Sequence, residues 1–575
     1  MAAIELYPKG HCEYIRQQSK SKFEGIKGTW VEAGSWTLPH KTIILTGGTP
    51  GARNNRHIVD ATHVLALRSF VAGFLEGNTS ASRPWYRIGH RDAELSAFPE
   101  NRAYLDTLTR RTLEVLGASN FYTAAGAFYY DFGTFNTGAY YIDERPDGSL
   151  HFHNLDPGTY YCLNNDLGVA DILVREFSLT CKAMIDRYGR KKDGTPDWSN
   201  ISERARKMYE DGNYAQTIDI VQVVKPNDHF DNEKPMALLN RPWISMTYEL
   251  GGSKGQYYQD GQEFGFGIDP SDKRENGKYL SMKGSKRKPF IVGRSDSTGN
   301  FEYGMKGPTT DSLGIIKSLN KKAIGKDIAL DQMLKPAVQG PAHLRKSYLT
   351  TAPNSFIPLD AQSAAAGGLK PVFQVNPAIA ALNQDVGDLR NQVDKFYYAD
   401  YLLYLTQNPK TRTATETNAV VQEQQLIIGP NLQSLNWTHN SPIVDFVVDY
   451  VLDTDPYLPD PPESLQGEFL KTEFVSVFAQ AQKAADLPAI ERYIAMATSV
   501  GTLKPEIWDK VNLDKLADLY EDRLFLPPGL NNPQSKVEAM RQQQAVQAQR
   551  DKAMHETLPA IAGAAKDLGL QRKQQ

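Results

Sequence analysis

The sequence predicts an α+β fold, and three observations carry that reading. Apolar residues recur at helical spacing over 58–74 and again over 379–403, each set painting one stripe along a helix. Between 132 and 180, aromatic and apolar runs alternate with Asp147-Gly148, Asp156-Pro157-Gly158 and Asp166-Leu-Gly168 turns, the pattern of antiparallel strands. From 534 onward Gln, Ala and Lys dominate and large apolar residues are few, which suits an exposed helix or a polar tail.

At 575 residues, with 41% hydrophobic and 23% charged residues, the chain has ample material for a sizeable core and several domains. A net charge of −3 and a pI near 6.4 lack the basic excess of a typical nucleic-acid binder. Cys12, Cys162 and Cys181 show no metal-type spacing and are expected as reduced thiols. Residues 1–9 have no signal-peptide core, and no run reaches the roughly 18 apolar residues of a spanning helix. A soluble protein, not exported by a classical signal, is expected.

Residues 1–50 are of mixed charge and end in the loop Thr46-Gly-Gly-Thr-Pro-Gly51. That loop lacks the Lys-Ser or Lys-Thr pair of a phosphate loop and reads as a turn. A helix follows through Ile58, Ala61, Val64, Leu65, Leu67, Phe70, Val71 and Phe74, and Trp85 is expected as a core anchor. Further helices are predicted at 101–119, from 121, at 177–188 and at 197–211, and strands at 132–180, 217–224 and 244–250. His151 and His153 share one face of a strand; a metal needs a third ligand and the spacing specifies none, so an exposed pair and no metal are expected. The basic run Lys283-Gly-Ser-Lys-Arg-Lys288 could touch nucleic acid, but a solvated loop is the commoner role of so short a run.

A helix from Leu313 to Val338, capped by Asp311 or Ser312, carries a partial stripe of Lys317, Lys321, Lys322 and Lys326. Residues 340–375 lack helix signals, which is unusual unless such a loop is functional or folds with a partner. A second long helix runs over 376–407 through Ile379, Leu382, Val386, Leu389, Val393, Phe396 and Leu403, until Asn408-Pro409 stops it. Thr413 and Glu416 form a capping box for a third helix, through Val420, Leu426, Leu435 and Ile443 to Leu452. On periodicity alone these last two are an ordinary buried hairpin. A Pro-rich linker at 455–462 leads to helices at 468–485, 487–500, 504–511 and 512–522.

The segments Thr413-Ala-Thr-Glu-Thr-Asn-Ala-Val420, Leu426-Ile-Ile-Gly-Pro-Asn-Leu432 and Ser441-Pro-Ile-Val444 resemble the head-to-tail connector (portal) proteins of short-tailed, T7-like phages. So does the helix leading to Pro84-Trp85-Tyr86, and so does the strand 290–294 followed by Tyr303-Gly304 and Gly307-Pro308. Met305-Lys306 departs slightly from that pattern. The segments keep the family's order across roughly residues 55–455. The resemblance implies a phage portal fold: a mixed α/β wing at 1–310, stem helices at 311–339 and 376–407 flanking a clip at 340–375, a tunnel loop and long wing helix at 408–455, a helical crown at 456–533, and a polar C-terminal helix or tail at 534–575.

The same resemblance implies a dodecameric ring at one capsid vertex, assembled in the host cytoplasm and retained in the virion. Terminase would drive double-stranded DNA through it without sequence specificity; scaffolding protein, major capsid protein, tail adaptor protein and internal core proteins would be its other partners. No enzyme activity, cofactor or membrane is implied, and a conduit gains nothing by gripping a sliding phosphate backbone. The loop 406–412 would face the DNA, with Lys410 and Arg412 meeting phosphate at long range. Alternatively, both cap helix ends or pair with carboxylates. Lys317, Lys321, Lys322 and Lys326 are secondary basic candidates. Two other classes stand beside this: another virion part (tail or internal core), and an enzyme, for which no nucleophile elbow, zinc helix or phosphate loop is found.

Overall fold

A stripe of Cys12, Ile15, Ser19, Phe23, Ile26, Trp30, Ala33 and Thr37, three or four residues apart, buries one side of a 29-residue helix at the start of the described chain. In the sequence this stretch reads as mixed charge, because Ser19 and Thr37 interrupt the apolar stripe. The structure is a computed structural model that describes residues 9–48, 55–92, 95, 98–145, 147–191, 193–231, 239–250, 279–295, 301–334, 338–339, 361–365, 370–371, 379–399, 428–475, 487–501, 516, 537, 540–544 and 546–547. Contacts divide the chain into two units, residues 1–85 with 107–459 and residues 86–106 with 460–575.

In chain order the first elements are α1 (Lys9–Thr37), α2 (Pro39–Thr46), α3 (Thr62–Gly77), β1 (Tyr86–His90), α4 (Pro99–Ala118), α5 (Phe121–Phe135), β2 (Thr137–Glu144), β3 (Leu150–Asn154), β4 (Tyr160–Asn164), β5 (Ala170–Thr180), α6 (Cys181–Tyr188) and α7 (Glu203–Glu210). There follow β6 (Thr217–Pro226), β7 (Trp243–Glu249), β8 (Ser281–Ser285), β9 (Phe290–Arg294), α8 (Pro308–Leu334), β10 (Val338–Gln339), α9 (Ala361–Ala365), β11 (Lys370–Pro371), α10 (Ile379–Phe396), α11 (Ser441–Thr454), β12 (Leu470–Phe474) and α12 (Leu487–Gly501). The first unit holds a three-stranded sheet, β3-β2-β9, and a five-stranded sheet, β4-β5-β6-β7-β8, both antiparallel. The α+β expectation holds. The three predicted turns are present too: Gly148, Gly158 and Gly168 have φ of +76°, +87° and +73°, a region glycine enters without a Cβ penalty.

Phe128 of α5 is the centre of packing. Its ring stacks on Phe132, Tyr140 and His439, with centroids 6.0, 5.1 and 4.1 Å away. Two neighbouring strands meet it with glycine: a Cβ on Gly138 or Gly293 would lie 2.5 Å from the Phe128 ring. Trp85 is buried, 1% exposed, as the sequence reading expected. Part of the basic run folds inward. Arg287 is bound to Glu144 (3.0 Å) and Asp453, and lies over Tyr450 (5.4 Å), while Lys286 pairs with Asp453 at 3.0 Å. Lys283 and Lys286 stay exposed, as a solvated loop would have them, while Arg287 is drawn into the fold.

Several predicted boundaries move. The helix predicted at 177–188 begins at Cys181, because Phe177 and Leu179 continue β5 against the cluster of Cys181, Met184 and Ile185, and Thr180 caps α6 through the Ala183 amide. The 197–211 helix shrinks to α7 behind its Ser202 cap, since Asp197 is engaged in a turn with Ser199. α8 starts at Pro308 rather than Leu313; Asp311 already donates its amide to Gly307 (3.0 Å), and Ser312 sits inside the helix, donating to the Pro308 carbonyl at 2.5 Å. Proline at a first-turn position gives up no hydrogen bond.

α10 ends at Phe396, and Tyr398 takes φ +54°, so the helix predicted over 376–407 is interrupted at Tyr397-Tyr398. In the second unit the helix predicted at 468–485 opens instead with strand β12, paired to β1 from Tyr86↔Phe474 to His90↔Leu470. Leu470, Thr472 and Phe474 alternate with Lys471 and Glu473 there, a two-residue period. Val338 pairs with Pro371 at the two ends of the segment assigned to the clip. Residues 400–427, and with them Lys410, Arg412 and the Thr413–Glu416 capping box, lie outside the described residues. So do most of 340–375, 502–536 and 548–575.

Gly293→Ala is expected to destabilise the protein by about 1–3 kcal/mol through overpacking against Phe128. Thermal denaturation checks this against Gly126→Ala, which has nothing within 4 Å of its new methyl and is expected to change stability little.

Candidate functional site

The predicted stem helices correspond to α8 and α10, which lie side by side. α8 buries Thr309, Ser312, Ile316, Leu319 and Asn320, and α10 buries Val386 and Val393. Polar groups hold the pair to the core. The Asn320 carboxamide oxygen accepts the Val59 and Asp60 amides, each at 2.9 Å, and its nitrogen donates to Ile316 O at 3.0 Å. Asp60 accepts from the Thr62 amide (3.0 Å) and hydroxyl (2.6 Å) at the start of α3, and from Arg390 of α10 at 2.9 Å. Burial alone would raise the Asp60 carboxyl, but the hydrogen bonds from Thr62 and Arg390 outweigh it and hold it below the usual carboxylate range.

A second anchor sits at the other end of α10. Thr309 donates to the Gly133 carbonyl at 2.7 Å and shares a 2.7 Å hydrogen bond with the fully buried Tyr397 hydroxyl. Next to it, Asn431 donates to the Tyr398 hydroxyl at 2.9 Å. The positive φ of Tyr398, uncommon for a bulky residue, is therefore held by hydrogen bonds to its own hydroxyl and to that of Tyr397. Asn136, also left-handed at φ +59°, donates to Thr310 at 3.0 Å.

Asn431 belongs to the helical residues 428–435, which run through a π-helix, Asn436–Asn440, into α11. Pro442 has no amide hydrogen, and a wider turn just before it accommodates the lost bond. The wider turn buries Thr438, His439 and Asn440. Thr438 accepts the Arg294 amide at 3.0 Å, and Asn440 bonds Asn78 at 3.1 Å. His439, stacked on Phe128, is pushed down to about 4 by burial and is neutral at physiological pH.

Of the lysines on α8, Lys317 is bound to Glu32, and Lys322 pairs with Asp385 of α10 at 2.5 Å. Lys321 is exposed and Lys326 half-buried; neither has an ion pair among the described residues. The structure therefore divides the predicted stripe in two. What the sequence reading passed over lies farther along α8: Ile324, Ile328, Met333 and Leu334 are 41%, 52%, 45% and 78% exposed. Their spacing was visible in the sequence, but their exposure was not. His151 and His153 stand together with ring centroids 4.4 Å apart, and the described residues contain no group of three metal-ligating side chains.

A family model described as bacteriophage head to tail connecting protein matches residues 9–265 and 270–530. The chain belongs to that family. The connector is 28% identical over 551 residues to the portal protein of Salmonella phage epsilon15, spanning 95% of this chain and 93% of that one. It is 28% identical over 535 residues to the probable portal protein of Bordetella phage BPP-1, spanning 92% and 90%. Among solved structures it matches a chain from the virion of a native gene transfer agent particle, at 11% identity and a TM-score of 0.31 over 86% of this chain and 100% of that one. A chain from the neck of an empty gene transfer agent particle matches at 11% identity and a TM-score of 0.33, with the same coverage. The resemblance read from the separated motifs thus holds: this is a phage head-to-tail connector. No described helix of the connector is long and apolar enough to cross a membrane.

Because the Asp60 pKa is depressed on folding, its contribution is present above the unfolded carboxylate pKa and is lost as pH falls through the lower folded value. Asp60→Asn is expected to lower the melting temperature at neutral pH and to flatten its fall on acidification. An unchanged pH profile of the melting temperature would remove the anchor role.

Proposed function

We propose that the connector assembles into a closed ring, dodecameric as in the family it resembles, at one capsid vertex. Double-stranded DNA passes through the ring during packaging and ejection. The observation that carries this reading is the apolar run on α8: a helix fastened to the core through Asn320 and Thr309 leaves Ile324, Ile328, Met333 and Leu334 uncovered. A neighbouring copy, docked head to tail so that the rotation closes, covers them. In this reading residues 1–310 are the wing, α8 and α10 stand in the stem segments 311–339 and 376–407, and 340–375 is the clip. Residues 408–455 are the tunnel loop and long wing helix, 456–533 the crown, and 534–575 a polar helix or tail.

Lys410 and Arg412 face the DNA and attract phosphate without base contacts. Lys321 and Lys326 are the better secondary candidates on α8, since Lys317 and Lys322 are engaged by Glu32 and Asp385. The ring works without catalysis or cofactor. It docks terminase and the tail adaptor protein, contacts scaffolding protein, major capsid protein and internal core proteins, and is assembled in the host cytoplasm. Family membership and the names of the two portal relatives support these roles.

Native mass with negative-stain images of the purified protein is the direct test. A closed ring near twelve copies with a central hole is expected, and a ring too narrow for duplex DNA would sink the reading. Ile324→Glu with Ile328→Glu is expected to shift the native mass toward smaller species while preserving the circular dichroism of the fold. Lys410→Glu with Arg412→Glu is expected to leave the ring intact and reduce packaged DNA; normal packaging would remove these two residues from the channel.

A further inference from the structure

A cationic cluster in the first unit has one ion-paired carboxylate, Asp143, among the described residues. Arg175 of β5 lies over Phe177 (4.5 Å from its ring centroid) and over Tyr141 of β2 (6.0 Å), reaching from the five-stranded sheet to the three-stranded one. It has no hydrogen bond or ion pair among the described residues. Across from it, Asp143 of β2 pairs directly with His151 of β3, and Tyr141 with His153. α6 contributes Arg187, over Tyr188 at 5.5 Å, and its nearest acid is Asp143 at 3.7 Å. That carboxylate is taken by Arg187, and Arg175 has none of its own among the described residues.

The electrostatics agree with that count. Burial first, and then the fields of Arg175 and His151, push His153 down to about 4, so its ring is uncharged at neutral pH and offers an N–H donor. Arg175 is held below its ordinary value by burial and by Arg187, with Tyr141, Tyr188 and Asp143 pulling the other way. A partly buried cation without a counter-ion is costly to keep. A metal held by His151, His153 and Asp143 would sit in the field of both arginines, so the cluster's chemistry opposes a cation. Guanidinium forks and imidazole N–H groups suit the tetrahedral oxygens of phosphate.

We propose that Arg175, Arg187, His151 and His153 form a binding site for a phosphate-type oxyanion between the two sheets of the wing. Free inorganic phosphate and the phosphodiester of nucleic acid share that chemistry. The site lies on elements separate from α8 and α10 and does not depend on the ring reading.

The test uses the full-length protein at pH 7 and constant ionic strength, with sodium phosphate in one arm and a short DNA duplex in the other. Isothermal titration is expected to show saturable binding in at least one arm, weakened about tenfold or more by Arg175→Gln and less by Arg175→Lys, which keeps the charge and loses the fork. Arg190→Gln is the control, because Arg190 is paired with Asp186 at 2.7 Å, and it is expected to bind like the parent protein. Binding in the phosphate arm identifies a free ion as sufficient; binding in the DNA arm alone identifies the phosphodiester. Should the Arg175 variants fail to fold, phenylglyoxal modification of Arg175 in the parent protein, read by peptide mass mapping, serves instead and is expected to slow several-fold when the ligand is present. No binding in either arm, binding indifferent to Arg175→Gln, or an unprotected Arg175 overturns the proposal.

Discussion

The contact on which the first unit depends is the meeting of the Phe128 ring with β2, β9 and the helix that follows residue 428. Gly138 and Gly293 let two adjacent strands approach the ring, and His439 covers it at 4.1 Å. His439 can reach it because the π-helix before Pro442 buries Thr438, His439 and Asn440 together. A close-packed interior tolerates little volume change at such a junction. The same contact fixes where the 428–454 helix lies on the sheet. Arg294 reinforces it, with its backbone bound to Thr438 and its guanidinium donating to the carbonyls of Phe301 and Glu302.

The helix pair inherits its position from this core. Asn320, Thr309 and Tyr397 are buried polar groups with their hydrogen bonds made, and a buried polar group accepts few alternative placements. Apolar packing alone would let α8 and α10 slide; these bonds specify a register. Beyond them α8 leaves Ile324, Ile328, Met333 and Leu334 exposed.

Much of this was legible in the chain. The α5 helix, the β2–β5 hairpins with their three glycine turns, α3, α8, α10 and α12 all follow from periodicity and turn chemistry, and the separated motifs pointed to the connector family. The misses have physical causes. α1 hid because Ser19 and Thr37 stand in its buried stripe. The β12 stretch reads as helix in the sequence because its alternation spans only five residues, and its pairing with β1, far away in the chain, decides it. The break at Tyr397-Tyr398 carried no proline or glycine to announce it; two tyrosine hydroxyls bonded to Thr309 and Asn431 create it.

By itself the sequence determined the α+β class, the local elements with strong periodicity, and membership of the connector family, because each is written in short-range spacing or in ordered motifs. Only the tertiary structure decided which charges are free. Lys286 and Arg287 of the basic run are engaged by Asp453 and Glu144, Lys317 and Lys322 by Glu32 and Asp385, and Arg175 meets aromatic rings but no ion pair among the described residues. The value of a charge depends on what the fold sets within a few ångströms of it, and no spacing along the chain records that.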